Sequence, residues 1–136
     1  MSVPSWVLDT NVLVSGLLQP SGPPGRLVDL VVSGGLRLTV DDRIIAEYCE
    51  VLARPKFGIT RAQQEAIQAL LMEQDLVGAP ALAVELPDPD DLPFLEAAAL
   101  ANDKILVTGN PKHFPASQRH GVRLLSPREA WTRCVG

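Results

Sequence analysis

The sequence predicts an α/β fold with a largely parallel sheet. Two observations predict it. Strand-like apolar runs alternate with helix-like segments along the 136 residues, the pattern of parallel strands joined by crossover helices. Acidic or hydroxyl residues then stand where strand-like runs stop or helices begin: Val7-Leu8-Asp9-Thr10-Asn11, Asp88-Pro89-Asp90-Asp91 and Val107-Thr108-Gly109-Asn110. In an open α/β sheet those ends converge on one crevice, where ligands bind. Carboxylates gathered there repel one another unless a cation sits among them, so the pattern points to a hard divalent metal.

Each element follows from local sequence. Trp6 to Leu8 reads as the first strand, and Asn11 to Leu18 begins a short helix. Gln19 to Pro24 interrupts it as a loop rich in turn formers. Helix resumes from Gly25 to Ser33, with Leu27, Leu30 and Val31 at helical spacing and Gly34-Gly35 as the stop. Leu36 to Val40 is the second strand. Asp41-Asp42 supplies an N-cap, because an Asp side chain accepts orphan amide hydrogens there; that helix runs to about Arg54, before Pro55. Thr60 caps a long helix that is expected to end near Gly78. Ala81 to Leu86 is expected as the third strand, although its alternation is too weak to orient its faces. Asp91 caps a very apolar helix running to Ala101, buried on several sides. Ile105 to Thr108 is the fourth strand and Arg123 to Leu125 a fifth. Ser126-Pro127 opens a terminal helix with Ser as cap and Pro in the first turn.

Composition narrows the class. A chain of 136 residues is one domain by size, and a domain near this size buries roughly two-thirds of the surface its unfolded chain exposes. No apolar run approaches the ~18 residues of a membrane span. The start, Met1 to Trp6, has neither a basic region nor a long apolar core, so no secretory leader is read there and the expected location is the cytoplasm. Cys49 and Cys134 lack metal-site spacing and read as reduced thiols. The net charge of −4 argues against broad electrostatic binding to nucleic acid. It leaves a nuclease open, since cations bound by an acid cluster offset its charge and attract phosphate.

The candidate residues each carry two readings. Asp9 closes the first strand and either points into the crevice or only caps the next helix. Glu47 lies at the edge of the stripe formed by Ile44, Ile45, Tyr48, Val51 and Leu52; it either reaches over the sheet end or is solvated. Asp88, Asp90 and Asp91 form a site or a solvated loop around Pro89, which keeps that segment extended. Thr108 and Asn110 offer neutral oxygens suited to a hard metal, or belong to an ordinary Gly-Asn turn. His113 is a candidate base or a loop histidine that packs or faces solvent. The Pro- and Gly-rich stretch between Gly16 and Gly25 reads as a mobile rim that shapes substrate choice. No GxxxxGK[ST], GxGxxG or nucleophile elbow is present, which argues against nucleotide-dependent and triad chemistry.

Together these blocks resemble the PIN-domain family, in particular its members assigned as toxins of type II toxin–antitoxin systems. The resemblance rests on Val7-Leu8-Asp9-Thr10-Asn11-Val12, Ile44-Ile45-Ala46-Glu47-Tyr48, Asp88-Pro89-Asp90-Asp91-Leu92-Pro93-Phe94-Leu95, and Val107-Thr108-Gly109-Asn110 with His113-Phe114 after it. It runs over nearly the whole chain and implies a three-layer α/β/α sandwich around a short parallel sheet. It also implies metal-dependent cleavage of RNA. By position, Asp9, Glu47 and Asp91 match the metal-binding acids and Asp88 a further acid. Thr108 matches a hydroxyl that organises the site, and Asn11 a polar residue beside the first acid. Asn110 falls where many members have a fourth acid. An amide is a weaker, neutral ligand, so one metal or two stay open. The implied cofactor is Mg²⁺ or Mn²⁺, with an RNA substrate; a small antitoxin protein and a homodimer are the partners the likeness suggests.

Two other readings compete. A phosphorylation-switched receiver module also places acids and a Thr at strand ends, but needs adjacent acids after the first strand, where Leu8-Asp9 supplies one. A catalytically silent PIN-fold module would bind RNA or protein without cutting, with Asn110 marking the loss.

Overall fold

The computed structural model describes residues 3–79 and 81–135. Met1 and Ser2, the beginning of the start read as lacking a leader, lie outside that range, as do Pro80 and Gly136. Among the described residues one five-stranded sheet forms, from β1 (Ser5–Leu8), β2 (Arg37–Val40), β3 (Asp75–Leu76), β4 (Ile105–Val107) and β5 (Arg123–Leu125). Its order is β3-β2-β1-β4-β5 and every described pairing is parallel. The helices are α1 (Thr10–Leu18), α2 (Pro23–Ser33), α3 (Asp42–Leu52), α4 (Arg61–Leu71), α5 (Leu92–Leu100) and α6 (Pro127–Val135). The arrangement is the expected α/β one.

The order of strands places the helices. The chain steps from β1 to β2 to β3, then returns past β1 to β4 and β5. Right-handed crossovers in opposite directions put their helices on opposite faces. Thus α1, α2 and α4 meet Leu8 and Leu38 on one face, and α6 joins α2 there. Helix α5 packs across β1, β2 and β4 from the other face and also touches α3. A central strand covered on both faces needs apolar residues throughout rather than alternation. Accordingly Ser5–Leu8 and Ile105–Val107 are buried along their whole length.

Local chemistry sets the helix starts much as expected. Asp41 caps α3, its Oδ1 accepting from the Ile44 amide at 2.9 Å. Thr60 and Gln63 form a reciprocal capping box at the start of α4. Ser126 and Glu129 exchange the same pair of bonds at α6, at 3.1 and 2.9 Å. Asp91 departs from expectation: it precedes α5 but its side chain makes no cap bond. Asp88 does the local work instead, accepting from the Asp90 amide at 2.9 Å. The Asp91 carboxylate is thereby left for other partners.

Two expectations in the middle of the chain are corrected. The helix from Thr60 stops at Leu71 rather than near Gly78, and Asp75–Leu76 forms the edge strand. Long-range polar contacts decide this. Arg37 Nε donates to Asp75 Oδ1 at 2.8 Å, and the Leu38 amide donates to Gln74 Oε1 at 3.0 Å. They hold the segment against β2, where a further helical turn would carry it away. Ala81 to Leu86, expected as a strand, pairs with none of the described strands. Its side chains do alternate, with Leu82, Val84 and Leu86 half-buried. Side chains satisfy its amides instead: Leu82 N donates to Glu96 Oε2 at 2.7 Å and Glu85 N to Gln118 Oε1 at 3.2 Å.

No residue of the Gly16–Gly25 stretch, expected as a rim, is among those lining the acidic crevice described below. A Cβ at Gly25 would lie 2.2 Å from the Pro20 carbonyl oxygen, and one at Gly16 2.6 Å from that of Pro24. The two glycines let α1, the turn and α2 approach at backbone distance. Gly25→Ala should therefore cost about 1–3 kcal/mol, because backbone must move to admit the methyl. Thermal or urea unfolding of that variant checks it; an unchanged midpoint would show that the turn yields freely.

Candidate metal and nucleic-acid site

The order in which the chain lays down its strands reverses between β1 and β4, and in such folds that switch point opens a crevice at the carboxyl ends of the two strands. Asp9 follows β1 and Thr108 follows β4. Their backbones continue the ladder, with the Asp9 amide on the Val107 carbonyl at 2.9 Å and the Thr108 amide on the Leu125 carbonyl at 2.9 Å. Their side chains meet across it: Thr108 Oγ1 donates to Asp9 Oδ2 at 2.8 Å. Asp9 is only 5% exposed and Thr108 2%. Burial pushes the Asp9 carboxyl above its usual range, partly offset by the Thr108 hydroxyl.

Helix α3 brings the second acid. Tyr48 is fully buried, and its hydroxyl donates to the Leu8 carbonyl at the end of β1. Its ring also packs against Phe94 of α5, centroids 6.2 Å apart. This pins α3 over the strand end and presents the preceding residue, Glu47, to the crevice. Thr10 Oγ1 then donates a hydrogen bond to Glu47 Oε2. Thr10 escapes a sequence reading because its partner lies 37 residues away. Its only local signal is a hydroxyl next to Asp9.

The third acid comes from the turn before α5. Asp91 is half-buried, and its pKa is pushed up to about 6 by burial and by the charge of Asp9, with His113 acting in the opposite sense. His113 Nδ1 lies 3.0 Å from Asp91 Oδ2, within ion-pair distance, so the imidazole partners this shielded oxygen. The sequence left His113 between packing and function, and the structure sets it against this carboxylate.

These groups line one cleft of about 280 Å³. It is lined by Asp9, Thr10, Asn11 and Glu47, by Asp88, Asp90, Asp91 and His113, and by Val14, Val51, Arg54, Lys56 and Phe57. Of the residues expected from sequence, Asp9, Asn11, Glu47, Asp88 and Asp91 therefore converge. Thr108 braces Asp9 from beneath. Asn110 is not among the lining residues; its amide donates to Thr108 Oγ1 at 3.0 Å. Arg54, Lys56 and Phe57 were not singled out, since nothing in their local sequence distinguishes them from a helix end and its loop.

Among the described residues, no group of three or more His, Cys, Asp or Glu is placed to hold a metal ion. The donor chemistry nevertheless fits a hard cation. Five carboxylates line the cleft beside two basic side chains, Arg54 and Lys56, and carboxylates gathered at one place repel one another unless a cation sits among them. Oxygen donors of this kind suit Mg²⁺ or Mn²⁺.

Fold and site together define a three-layer α/β protein with an acidic crevice at the switch point of its sheet. Residues 5–112 match a family model described as a PIN domain, and the chain belongs to that family. The match spans β1 to β4 and every acid of the cleft. PIN domains have a nuclease-type fold, are commonly nucleases and generally use divalent metal ions. No match was found among the curated proteins. Among the described residues, no helix is long and apolar enough to cross a membrane.

The raised carboxyl of Asp91 has a consequence for the metal-free protein. Its folded pKa, about 6, exceeds its ordinary value of 3.8. The folded state then binds more protons than the unfolded one between those values, and stability falls as pH rises through that window. Asp91→Asn should match the parent near pH 4 and exceed it in unfolding midpoint above pH 6, measured by thermal melts in chelator. Equal midpoints at every pH would contradict the shift.

Proposed function

We propose that the protein is a metal-dependent endoribonuclease that hydrolyses RNA phosphodiester bonds. We further propose that it acts in the cytoplasm as the toxin of a type II toxin–antitoxin pair. The observation that carries the nuclease reading is the gathering of Asp9, Glu47, Asp88 and Asp91 in one cleft at the strand ends. Asp9, Glu47 and Asp91 would hold Mg²⁺ or Mn²⁺, with Asp88 as a further oxygen donor; Asn110, outside the lining, would support the site through Thr108. When bound, such a cation supplies positive charge that favours a deprotonated attacking water and offsets charge on phosphate oxygens. The chain's part is to hold the acids in place. Thr108 fixes Asp9, Thr10 fixes Glu47, and the bond from Tyr48 to the Leu8 carbonyl keeps α3 over the strand end. Asn11, exposed beside Asp9 at the cleft wall, is open to contact substrate.

The test is incubation of purified protein with labelled single-stranded RNA in Mn²⁺, in Mg²⁺ and in chelator. Cuts that require the ion support the reading. Independently of turnover, Mn²⁺ should raise the unfolding midpoint at pH 7.5, since an ion that binds only the folded state stabilises it by mass action. No shift at millimolar Mn²⁺ would count against a metal site here.

The toxin assignment rests on likeness to toxin components, and implies a small antitoxin protein that blocks the crevice and a homodimer. Co-expression with neighbouring reading frames and sedimentation of the purified protein test these two contacts. One observation favours a second reading, a silent PIN-fold module that binds RNA or protein: no ready group of three metal-binding side chains is present among the described residues. RNA binding with neither metal-induced stabilisation nor cleavage would select it.

A further inference from the structure

We infer that Arg54, Lys56 and Phe57 form the substrate-strand subsite of this cleft, gripping backbone phosphates of single-stranded RNA beside the bond to be cut. The inference rests on the nuclease reading and deepens it. Arg54 and Lys56 are the only Lys or Arg residues among those described as lining the cleft. In a chain of net charge −4, their place in the same cleft as five carboxylates is informative. A phosphodiester approaching five carboxylates needs cationic groups at the edge to hold it, and nucleic-acid affinity comes mainly from such phosphate contacts.

The backbone holds these three residues out deliberately. Pro55 follows Arg54 and stops α3 from continuing, since proline has no amide hydrogen to donate. A 3₁₀ turn over Pro55–Phe57 follows, closed by the Phe57 amide on the Arg54 carbonyl and the Gly58 amide on the Pro55 carbonyl, both 3.1 Å. Gly58 ends it at φ +63°, in the left-handed region that favours glycine. The turn thus carries the side chains over the cleft instead of along the helix axis.

Both cations are available to a ligand. Among the described residues Arg54 is paired with Glu50, at 3.5 Å and with both side chains about half exposed or more; such surface pairs are weak and readily exchanged. Lys56 Nζ lies 5.1 Å from the centroid of the Phe57 ring, which steadies a long side chain without neutralising it. Phe57 is half-buried and lines the same cleft, so it offers an aromatic surface on which a base can stack, a contact that tolerates any sequence. A single strand, whose bases are splayed and whose phosphates follow one wall, suits this arrangement.

The test measures binding of a fluorescein-labelled 12-nucleotide single-stranded RNA by anisotropy, in chelator, across 50–200 mM salt. Parent protein and an Arg54→Ala/Lys56→Ala double variant are compared. For single strands each phosphate contact contributes roughly 0.7 to the slope of log affinity against log salt. The double variant should lose about 1.4 of that slope and bind roughly 10–100-fold more weakly at the lowest salt. Arg54→Lys/Lys56→Arg should restore both. In cleavage assays the alanine variant should raise KM while kcat stays within a few-fold. Its Mn²⁺-induced stabilisation should match the parent, showing an intact fold and acid cluster. An unchanged slope with metal-dependent cleavage intact overturns the subsite alone. No binding and no cleavage by the parent overturns the nuclease reading and the subsite with it.

Discussion

Asp9→Asn is expected to lower metal-dependent RNA cleavage by at least ~100-fold, a loss of about 2.7 kcal/mol in transition-state stabilisation. Asp9 is the acid nearest the switch point, buried at 5% exposure and braced by the Thr108 hydroxyl. An asparagine keeps the shape and still accepts that hydroxyl through its amide oxygen. What it removes is the charge needed to hold a cation. The same reasoning fixes the expected stability. Burial raises the Asp9 carboxyl above its ordinary value, so at neutral pH its ionised form destabilises the metal-free fold, and the penalty disappears only as pH falls and the group protonates. The variant should melt at or above the parent temperature in chelator and lose most of the Mn²⁺-induced stabilisation. Full cleavage by a well-folded Asp9→Asn protein would sink the assignment of this cleft as the catalytic site.

Glu96→Ala should be among the more destabilising single changes in the protein, costing about 2–3 kcal/mol, mostly from the stranded Leu82 amide. Glu96 is 1% exposed within α5. Its Oε1 accepts from Arg43 Nη1 and its Oε2 from the Leu82 amide, both at 2.7 Å. Arg43 also donates to Asp41 Oδ2 through Nε and Nη2, so the guanidinium links the cap of α3 to α5. Removing the buried carboxylate leaves the Leu82 amide without its acceptor, while Arg43, half exposed, loses one of its two carboxylates and keeps Asp41. The expected loss in unfolding midpoint is on the order of 10 °C. It should appear in urea and thermal unfolding, while correctly folded molecules at low temperature still cleave RNA. A loss below ~1 kcal/mol would mean that water replaces the carboxylate and that the link does not hold the layers together.

Glu96 also shows where sequence reading stops. The run Leu92-Pro93-Phe94-Leu95-Glu96-Ala97-Ala98 reads as a buried helix, and it is one. A single acid in it carries no sign that Arg43, 53 residues earlier, lies within reach. Thr10 and Glu47, and Asp9 and Thr108, pose the same problem at separations of 37 and 99 residues. Asp91 illustrates a subtler failure. Its place before a helix predicts a cap, yet Asp88 satisfies the turn and frees Asp91 for the cleft. The segment around Asp75 was misread because a two-residue edge strand leaves almost no periodicity to find.

What the sequence determined by itself is whatever depends on neighbours along the chain. That includes the strands ending at Leu8, Val40 and Val107 and the caps at Asp41, Thr60 and Ser126. It also includes the acids at the strand ends, the α/β class and the family blocks that span them. What only the tertiary structure decided is which of those groups face one another. The reversal of strand order at β1 and β4 sets Asp9 beside Thr108. Tyr48 brings Glu47 over the same strand end, and Pro55 and Gly58 turn Arg54 and Lys56 toward it. Hydrogen bonds and burial act over a few ångströms in space, and chain separation does not encode them.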